Sequence, residues 1–385
     1  MAKVRIAMVA GEASGDLLAA HLIRALRAHF PDMECVGIGG PKMEAEGFTS
    51  WWPSERLAVM GLVEVLRRYR ELWGIRADLI RRLKADPPDL FIGIDAPDFN
   101  LGLEQRLRKA GVRTAHFVSP SIWAWRGGRV HGIGKAADHV LCLFPFEPEL
   151  YTKHNIPASF VGHPLADEFP LQPDREGARE QLQLPQGARI VTVMPGSRVG
   201  EVSRLADDFI GAVRLLAERH PDLLFLVPLI TRETRTIFEE ALARQDAAEL
   251  PIRLLFGHSH EAMIACDVVL LASGTAALEA ALLKRPMVAA YRVANMTYRI
   301  VKRMVYLPYF SLPNILAGRF VVPEFEQDDV KPAALADAIE RWLNDREAVE
   351  QLVEGFTDMH LSLRQNTAER AAEALLPLIE AGRRH

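Results

Sequence analysis

One pattern, written twice, constrains this chain more than any other. Apolar runs of strand length, with few polar breaks, alternate with amphipathic stretches of helical length. The first set of runs occupies residues 4–10, 35–38, 90–94, 114–118 and 140–144, and apolar residues recur at three- and four-residue spacing over 17–30 and 101–110. Strands without a polar alternation are buried on both faces, the condition of a parallel sheet covered by helices on either side. A second set follows at 190–194, 223–228, 252–256, 268–272 and 287–290, with helices beginning near Val202, Thr234, Glu261 and Thr275. Between the sets, Gly162 to Asp174 holds Pro164, Pro170 and Pro173 and no periodicity, which marks a linker. A length of 385 residues suits two domains. The expected fold is therefore α/β: two doubly wound, Rossmann-like domains facing a cleft, with a helical C-terminal tail. Its parts are a domain over 1–165, a linker over 166–173, a second domain over 174–330 and a tail over 331–385. That tail packs across the domains or onto the partner subunit of a homodimer, and the sequence leaves both open.

Composition sets the outer limits. Hydrophobic residues make up 49% and charged residues 25%, proportions of a folded chain with a large core rather than of a disordered or repetitive one. No uncharged apolar stretch approaches the roughly 18–20 residues that span a bilayer. Met1 to Ile6 carries charge within its short apolar run and lacks the layout of a signal peptide, so the expected compartment is the cytoplasm. Cys35, Cys142 and Cys266 lie far apart, as buried thiols do, with no disulfide framework or thiolate metal site suggested. A net charge of −4 argues against general nucleic-acid binding, which needs a basic field. The charge is uneven: +1 over residues 1–170, −5 over 171–385 and +4 within 62–84.

Doubly wound sheets bind ligands outside the carboxyl ends of their strands, so the loops after strands are the place to seek chemistry. The first, VAGEASGD (Val9 to Asp16), departs from the dinucleotide fingerprint G-x-G-x-x-G. Gly15 permits close backbone approach, Ser14 can cap the next helix, and Glu12 and Asp16 are two acids where a turn needs one. The freed amides could receive an anion or a substrate hydroxyl. In GIDAPDFN (Gly93 to Asn100), Asp95 ends a buried apolar strand, a placement of little benefit to stability that can hold a carboxylate rigidly as a general base. Asp98 stands just before an apolar-periodic stretch and reads as a helix cap. SPSIWAWR (Ser119 to Arg126) sets Trp123 and Trp125 at alternate positions, either to stack on a sugar or to anchor packing.

In the second domain MPGSR (Met194 to Arg198) follows a strand and opens a helix. The amides of Gly196 and Ser197 with the cationic fork of Arg198 suit a diphosphate, although no P-loop lysine follows. In LLASGTAALE (Leu270 to Glu279), Ser273, Gly274 and Thr275 start another helix, and Glu279, one turn in, can accept from the hydroxyls of a ribose. Two anion-competent helix starts and a ribose carboxylate describe a nucleotide diphosphate site.

These strings, with LAVMGLVEVL (Leu57 to Leu66) and SLPNILAGR (Ser311 to Arg319), closely resemble in order and spacing the lipid-A-disaccharide synthase family, inverting glycosyltransferases of the GT-B architecture. The resemblance runs from about Ile6 to past Arg364. It implies an enzyme that joins UDP-2,3-diacylglucosamine to 2,3-diacylglucosamine 1-phosphate and releases UDP, without metal or cofactor, at the cytoplasmic face of the inner membrane. By position Asp95 matches the family's essential aspartate, Arg198 its essential arginine, and Glu279 and Asn314 residues of the nucleotide-sugar side. For Glu12, Ser14, Gly15 and Asp16 the resemblance implies acceptor binding. The missing Asp-x-Asp motif agrees with metal independence.

Substrates that carry acyl chains require contact with the bilayer. Residues 61–84 place Leu62, Val63, Leu66 and Trp73, then Ile75, Leu79, Ile80 and Leu83, among Arg67, Arg68 and further cations. Apolar faces beside cations enter the headgroup region of anionic membranes, while the plainer alternative is a helix pair whose apolar face is core. Two rival functions remain: a UDP-sugar epimerase of the same architecture, with a small substrate and no membrane patch, and a nucleotide-regulated scaffold, which gains nothing from Asp95.

Overall fold

The computed structural model describes residues 3–57, 62–125 and 127–383. Chain contacts divide it into two compact units, Met1–Asp167 with Ser362–His385, and Glu168–Leu361.

In the first unit the described strands are β1 (Arg5–Ala10), β2 (Glu34–Gly39), β3 (Phe48–Pro53), β4 (Leu90–Ile94), β5 (Thr114–Phe117), β6 (His139–Cys142) and β7 (Ala158–Phe160). They form one parallel sheet in the order β3-β2-β1-β4-β5-β6-β7. Both faces of β1 are core, and its residues divide with the strand period of two. Ile6, Met8 and Ala10 pack with the helix Ala13–His29, whereas Ala7 and Val9 pack with Leu79, Leu83, Leu103 and Leu107 on the other side. That division explains why the strand reads as a continuous apolar run.

The segment expected to touch membrane forms one helix, Leu62–Ala85, which continues through Gly74. Its C-terminal half is corrected to core: Ile75, Leu79, Ile80 and Leu83 are all buried, because their spacing turns one face onto the sheet. Trp73 is 53% exposed. The side chains of Leu62, Val63, Leu66, Arg67 and Arg68 lie outside the described residues. Among the described residues no helix is long and apolar enough to cross a membrane.

The second unit repeats the architecture with β8 (Arg189–Met194), β9 (Leu223–Leu229), β10 (Ile252–Phe256), β11 (Val268–Ala272), β12 (Met287–Tyr291) and β13 (Glu324–Glu326). These six described strands are parallel in the order β10-β9-β8-β11-β12-β13. The last three helices are shared between the units. Pro332–Asn344 buries Leu335, Ala336 and Ile339 against the helix Val199–Arg219, while Thr367–Gly382 buries Ala371, Ala372, Leu375 and Ile379 in the core of the first unit. Asp167 fixes the start of that final helix by accepting from the amides of Asn366 at 3.0 Å and Thr367 at 2.7 Å.

Candidate active site

The strand order of the first unit reverses between β1 and β4, which pair Ala10 with Ile94. A reversal opens a crevice at the carboxyl ends of the two strands. The loops bearing Glu12 and Asp95 therefore start side by side, and a Cβ placed on Gly11 would stand 3.3 Å from that of Ala96.

Asp95 and Ala96 occupy the left-handed region in succession, with φ of 51° and 42°. Such residues are strained and persist only where their surroundings over-determine them. Here the Asp95 amide donates to Phe117 O at 2.8 Å, and buried Asn100 donates from Nδ2 to Asp95 O at 2.8 Å and to Ile94 O and Val9 O at 3.3 Å. One turn along the same helix, Glu104 meets His116 Nδ1 at 2.7 Å with both side chains fully buried. Burial raises the Glu104 pKa, and His116 only partly offsets it. Gly93 makes room for this pair, since any side chain there would overlap Glu104 Oε1.

Asp95 also lines a cavity of about 260 Å³ with Ser119, Ser121, Trp125 and Arg129. The cavity resolves the two tryptophans. Trp125 lines it, whereas Trp123 is a packing anchor, edge-on to Phe146 at 5.4 Å with its Nε1 donating to Glu147 Oε1 at 3.1 Å. Asp98 is corrected from helix cap to ion-pair partner. Ala96 holds the cap position without a side-chain bond, and Asp98, a residue into the helix, accepts from Arg129 Nη2 at 2.7 Å.

The four residues assigned to acceptor binding separate. Glu12 and Ser14 are exposed beside the crevice, with Glu12 rather than Ser14 at the helix cap position. Gly15 is buried against Ala10 and Ile94, where its missing side chain lets the helix approach the strand ends. Asp16 has a structural task instead: its buried carboxylate accepts from the amides of Gly40 at 2.9 Å, Lys42 at 3.0 Å and Met43 at 3.0 Å, so it starts the short helix Pro41–Ala45.

In the second unit the reversal falls between β8 and β11, which pair Met194 with Leu271. Gly196 adopts a φ of 126°, and a side chain there would collide with Glu201. The Glu201 carboxylate accepts from the amides of Ser197 at 3.1 Å and Arg198 at 3.3 Å, and Arg198 Nη1 reaches it at 3.4 Å. An acidic side chain thus occupies the cradle read as anion-binding. Arg198 itself is 69% exposed. Across the reversal, Ser273 spends its amide on Ala290 O at 2.8 Å, while exposed Gly274 and Thr275 open the helix Thr275–Leu282 without a side-chain cap. Glu279 meets His260 Nε2 at 3.5 Å, and this contact raises the His260 pKa. Phe169 stands edge-on to the same imidazole at 4.9 Å. Nothing in the sequence around His260 announces this pairing, because its partner lies 19 residues away.

Asn314 is corrected from nucleotide contact to structural lock. Fully buried, it donates to Val322 O at 3.0 Å and Glu324 Oε1 at 2.7 Å, and accepts from the amides of Val321 at 2.7 Å and Val322 at 3.0 Å. That exhausts the hydrogen-bonding capacity of an amide.

Two parallel, doubly wound units, each with its candidate residues at the strand-order reversal, make this a protein of the GT-B class. Solved structures share the fold: the UDP-GlcNAc 2-epimerase from Neisseria meningitidis bound to UDP-GlcNAc, with TM-score 0.66 and 12% identity over 97% of this chain and 100% of that one, and the calicheamicin glycosyltransferase CalG4, with TM-score 0.61 and 15% identity over 99% of each. The lipid-A-disaccharide synthetase family profile matches residues 6–377. The lipid-A-disaccharide synthase of Aromatoleum aromaticum is 64% identical over 97% of this chain and 96% of its own length, and that of Azoarcus sp. is 60% identical over 98% and 96%. The chain belongs to the lipid-A-disaccharide synthase family and is a glycosyltransferase of lipid A biosynthesis. The epimerase alternative retains only a likeness of fold.

Proposed function

We propose that the chain joins UDP-2,3-diacylglucosamine to 2,3-diacylglucosamine 1-phosphate with inversion at the donor's anomeric carbon, the first domain serving the acceptor and the second the nucleotide. Asp95 takes the proton of the acceptor's 6-hydroxyl as that oxygen bonds to the anomeric carbon, and the bond from this carbon to the UDP oxygen breaks on the opposite face. Arg198, with the amides of Gly196, Ser197, Gly274 and Thr275, neutralises the charge that develops on the leaving diphosphate. Glu279 accepts from the ribose hydroxyls, with His260 orienting it. Glu12 and Ser14 contribute to the acceptor side.

The observation that carries this reading is Asp95 itself, held at a strand-order reversal in a strained left-handed backbone conformation. Such strain gathers at sites of function. Asp95→Asn and Arg198→Ala are each expected to lose activity by orders of magnitude while remaining folded. Near-normal UDP release by purified Asp95→Asn, with both acylated substrates supplied, removes the base assignment.

The acylated substrates also call for peripheral contact with the cytoplasmic face of the inner membrane, through Leu62, Val63, Leu66, Arg67, Arg68 and exposed Trp73. Liposome flotation of a variant with Leu62, Val63 and Leu66 changed to Ser tests it; unchanged flotation moves the contact elsewhere.

A further inference from the structure

We propose that the cavity beside Asp95 seats the sugar headgroup of the acceptor and that Arg129 binds its phosphate monoester. The inference rests on the transfer reading above, whose acceptor presents a nucleophilic hydroxyl at one end of a pyranose ring and a phosphate at the other.

The cavity, of about 260 Å³ and open to solvent on one side, has room for a sugar ring beside Asp95. Its chemistry is divided in the same sense as the acceptor. Asp95 supplies a carboxylate, Ser119 and Ser121 supply hydroxyls, and Arg129 is the cation among the described lining residues, with Asp98 as a second carboxylate paired to it at 2.7 Å. A phosphate drawn to Arg129 leaves the other end of the ring for Asp95.

Arg129 is firmly placed and loosely paired. It closes the short helical turn Gly127–Arg129 and leads into the helix Val130–Ala136, which is fastened through buried Val130 and Ile133 and by Arg108 Nη1 donating to Gly134 O at 2.6 Å. Its side chain is only 29% exposed, so its field is less screened than that of a free surface arginine. The partner Asp98, by contrast, is 88% exposed. A pair with so open a partner contributes little to stability and is readily exchanged. A phosphate offers the planar guanidinium a bidentate, doubly charged replacement. Ser119 is held ready by Tyr151, its Oγ 2.8 Å from the phenol oxygen.

The test crosses two enzymes with two acceptors. UDP release by wild type and Arg129→Ala is followed with 2,3-diacylglucosamine 1-phosphate and with the same lipid lacking the phosphate. A lost charge-assisted contact is expected to raise KM for the phosphorylated acceptor by about 10–100-fold, with kcat and the donor KM little changed. The dephosphorylated lipid, already a poor acceptor, loses nothing further. Arg129→Lys falls between, and Asp98→Ala keeps or lowers the acceptor KM because it removes a competing anion. Equal losses with both acceptors, or an Asp98→Ala variant that copies Arg129→Ala, assign Arg129 a structural role and overturn the proposal. Binding without donor keeps the two readings apart. Tryptophan fluorescence titrated with the phosphorylated lipid is expected to saturate in wild type and shift strongly to weaker binding in Arg129→Ala. That contrast in an enzyme that transfers nothing retains the phosphate site and ends the transfer reading.

Discussion

Removing the Asn100 amide nitrogen should cost the first unit more than removing the rest of the side chain. Its Oδ1 has no hydrogen-bond partner among the described residues, so the polar contribution lies in Nδ2, which serves three carbonyls with two protons. The 2.8 Å contact to Asp95 O counts as a full bond and the two at 3.3 Å share the second proton. At about 1 kcal/mol per net bond, with a further 1–3 kcal/mol for a carbonyl left dry, Asn100→Ala is expected to lose about 3–5 kcal/mol. Asn100→Asp keeps the size but turns an oxygen toward carbonyl oxygens, so at pH 8 it should be worse than Ala and recover partly as acid protonates the carboxyl. Urea midpoints at the two pH values read both effects. The turn at Asp95 and Ala96 stores roughly 1–3 kcal/mol per residue and loses its principal clamp, so kcat of the folded fraction should fall about 10–100-fold. An Asn100→Asp variant milder than Asn100→Ala at pH 8 would refute the reasoning, since size alone would then explain the site.

Glu147 is pushed up to about 7 from an ordinary 4.5 by burial, with the Phe144 amide and the Trp123 indole only partly offsetting it. Its neutral form is the one the fold favours, so the associated stability is present below about pH 4.5 and is lost by about 3 kcal/mol as pH rises through 7. Glu147→Gln should flatten that slope in thermal melts, and an unchanged slope counts against the assignment. Asn314→Ala should destabilise the second unit by about 3–5 kcal/mol while leaving UDP inhibition of the folded enzyme unaltered, because all four of its bonds are internal. Glu201→Ala frees the Ser197 and Arg198 amides and should lower the inhibition constant of UDP several-fold. A rise would mean that the carboxylate shapes the cradle rather than competing for it.

The long buried strands were legible because they carry their own signal. β1, β4, β8 and β11 are apolar runs with few polar breaks, and their loops hold the residues first singled out. The strands that escaped notice lack that signal. β3 reads Phe-Thr-Ser-Trp-Trp-Pro at the sheet edge and so has neither a continuous apolar run nor a strict alternation, β7 spans only three residues, and β13 reads Glu-Phe-Glu. Side-chain roles were legible only where they depend on position along the chain. Asp95 ends a strand and Arg198 begins a helix, and both are visible in sequence. The commitments of Asp16 to the amides near Gly40 and of Asn314 to the loop at Val322 are contacts across the fold. A polar residue in a suggestive string looks the same whether it faces a ligand or a neighbouring loop. Arg129 went unnoticed for the converse reason, since it lies between glycines and a small helix and acquires meaning only from the cavity it lines.

The return of the helix Thr367–Gly382 to the first unit sets an order of assembly during synthesis. Residues 168–361 form an uninterrupted unit that can close its core as soon as it has emerged, whereas the unit begun first still lacks Leu375 and Ile379. Domains generally fold from the N-terminus onward as the chain lengthens. Here the half bearing Asp95 keeps an apolar groove open on the helix Ala13–His29 until some of the last residues arrive. Nascent chains stalled near residue 361 should therefore carry a native second unit and a first unit still dependent on chaperones.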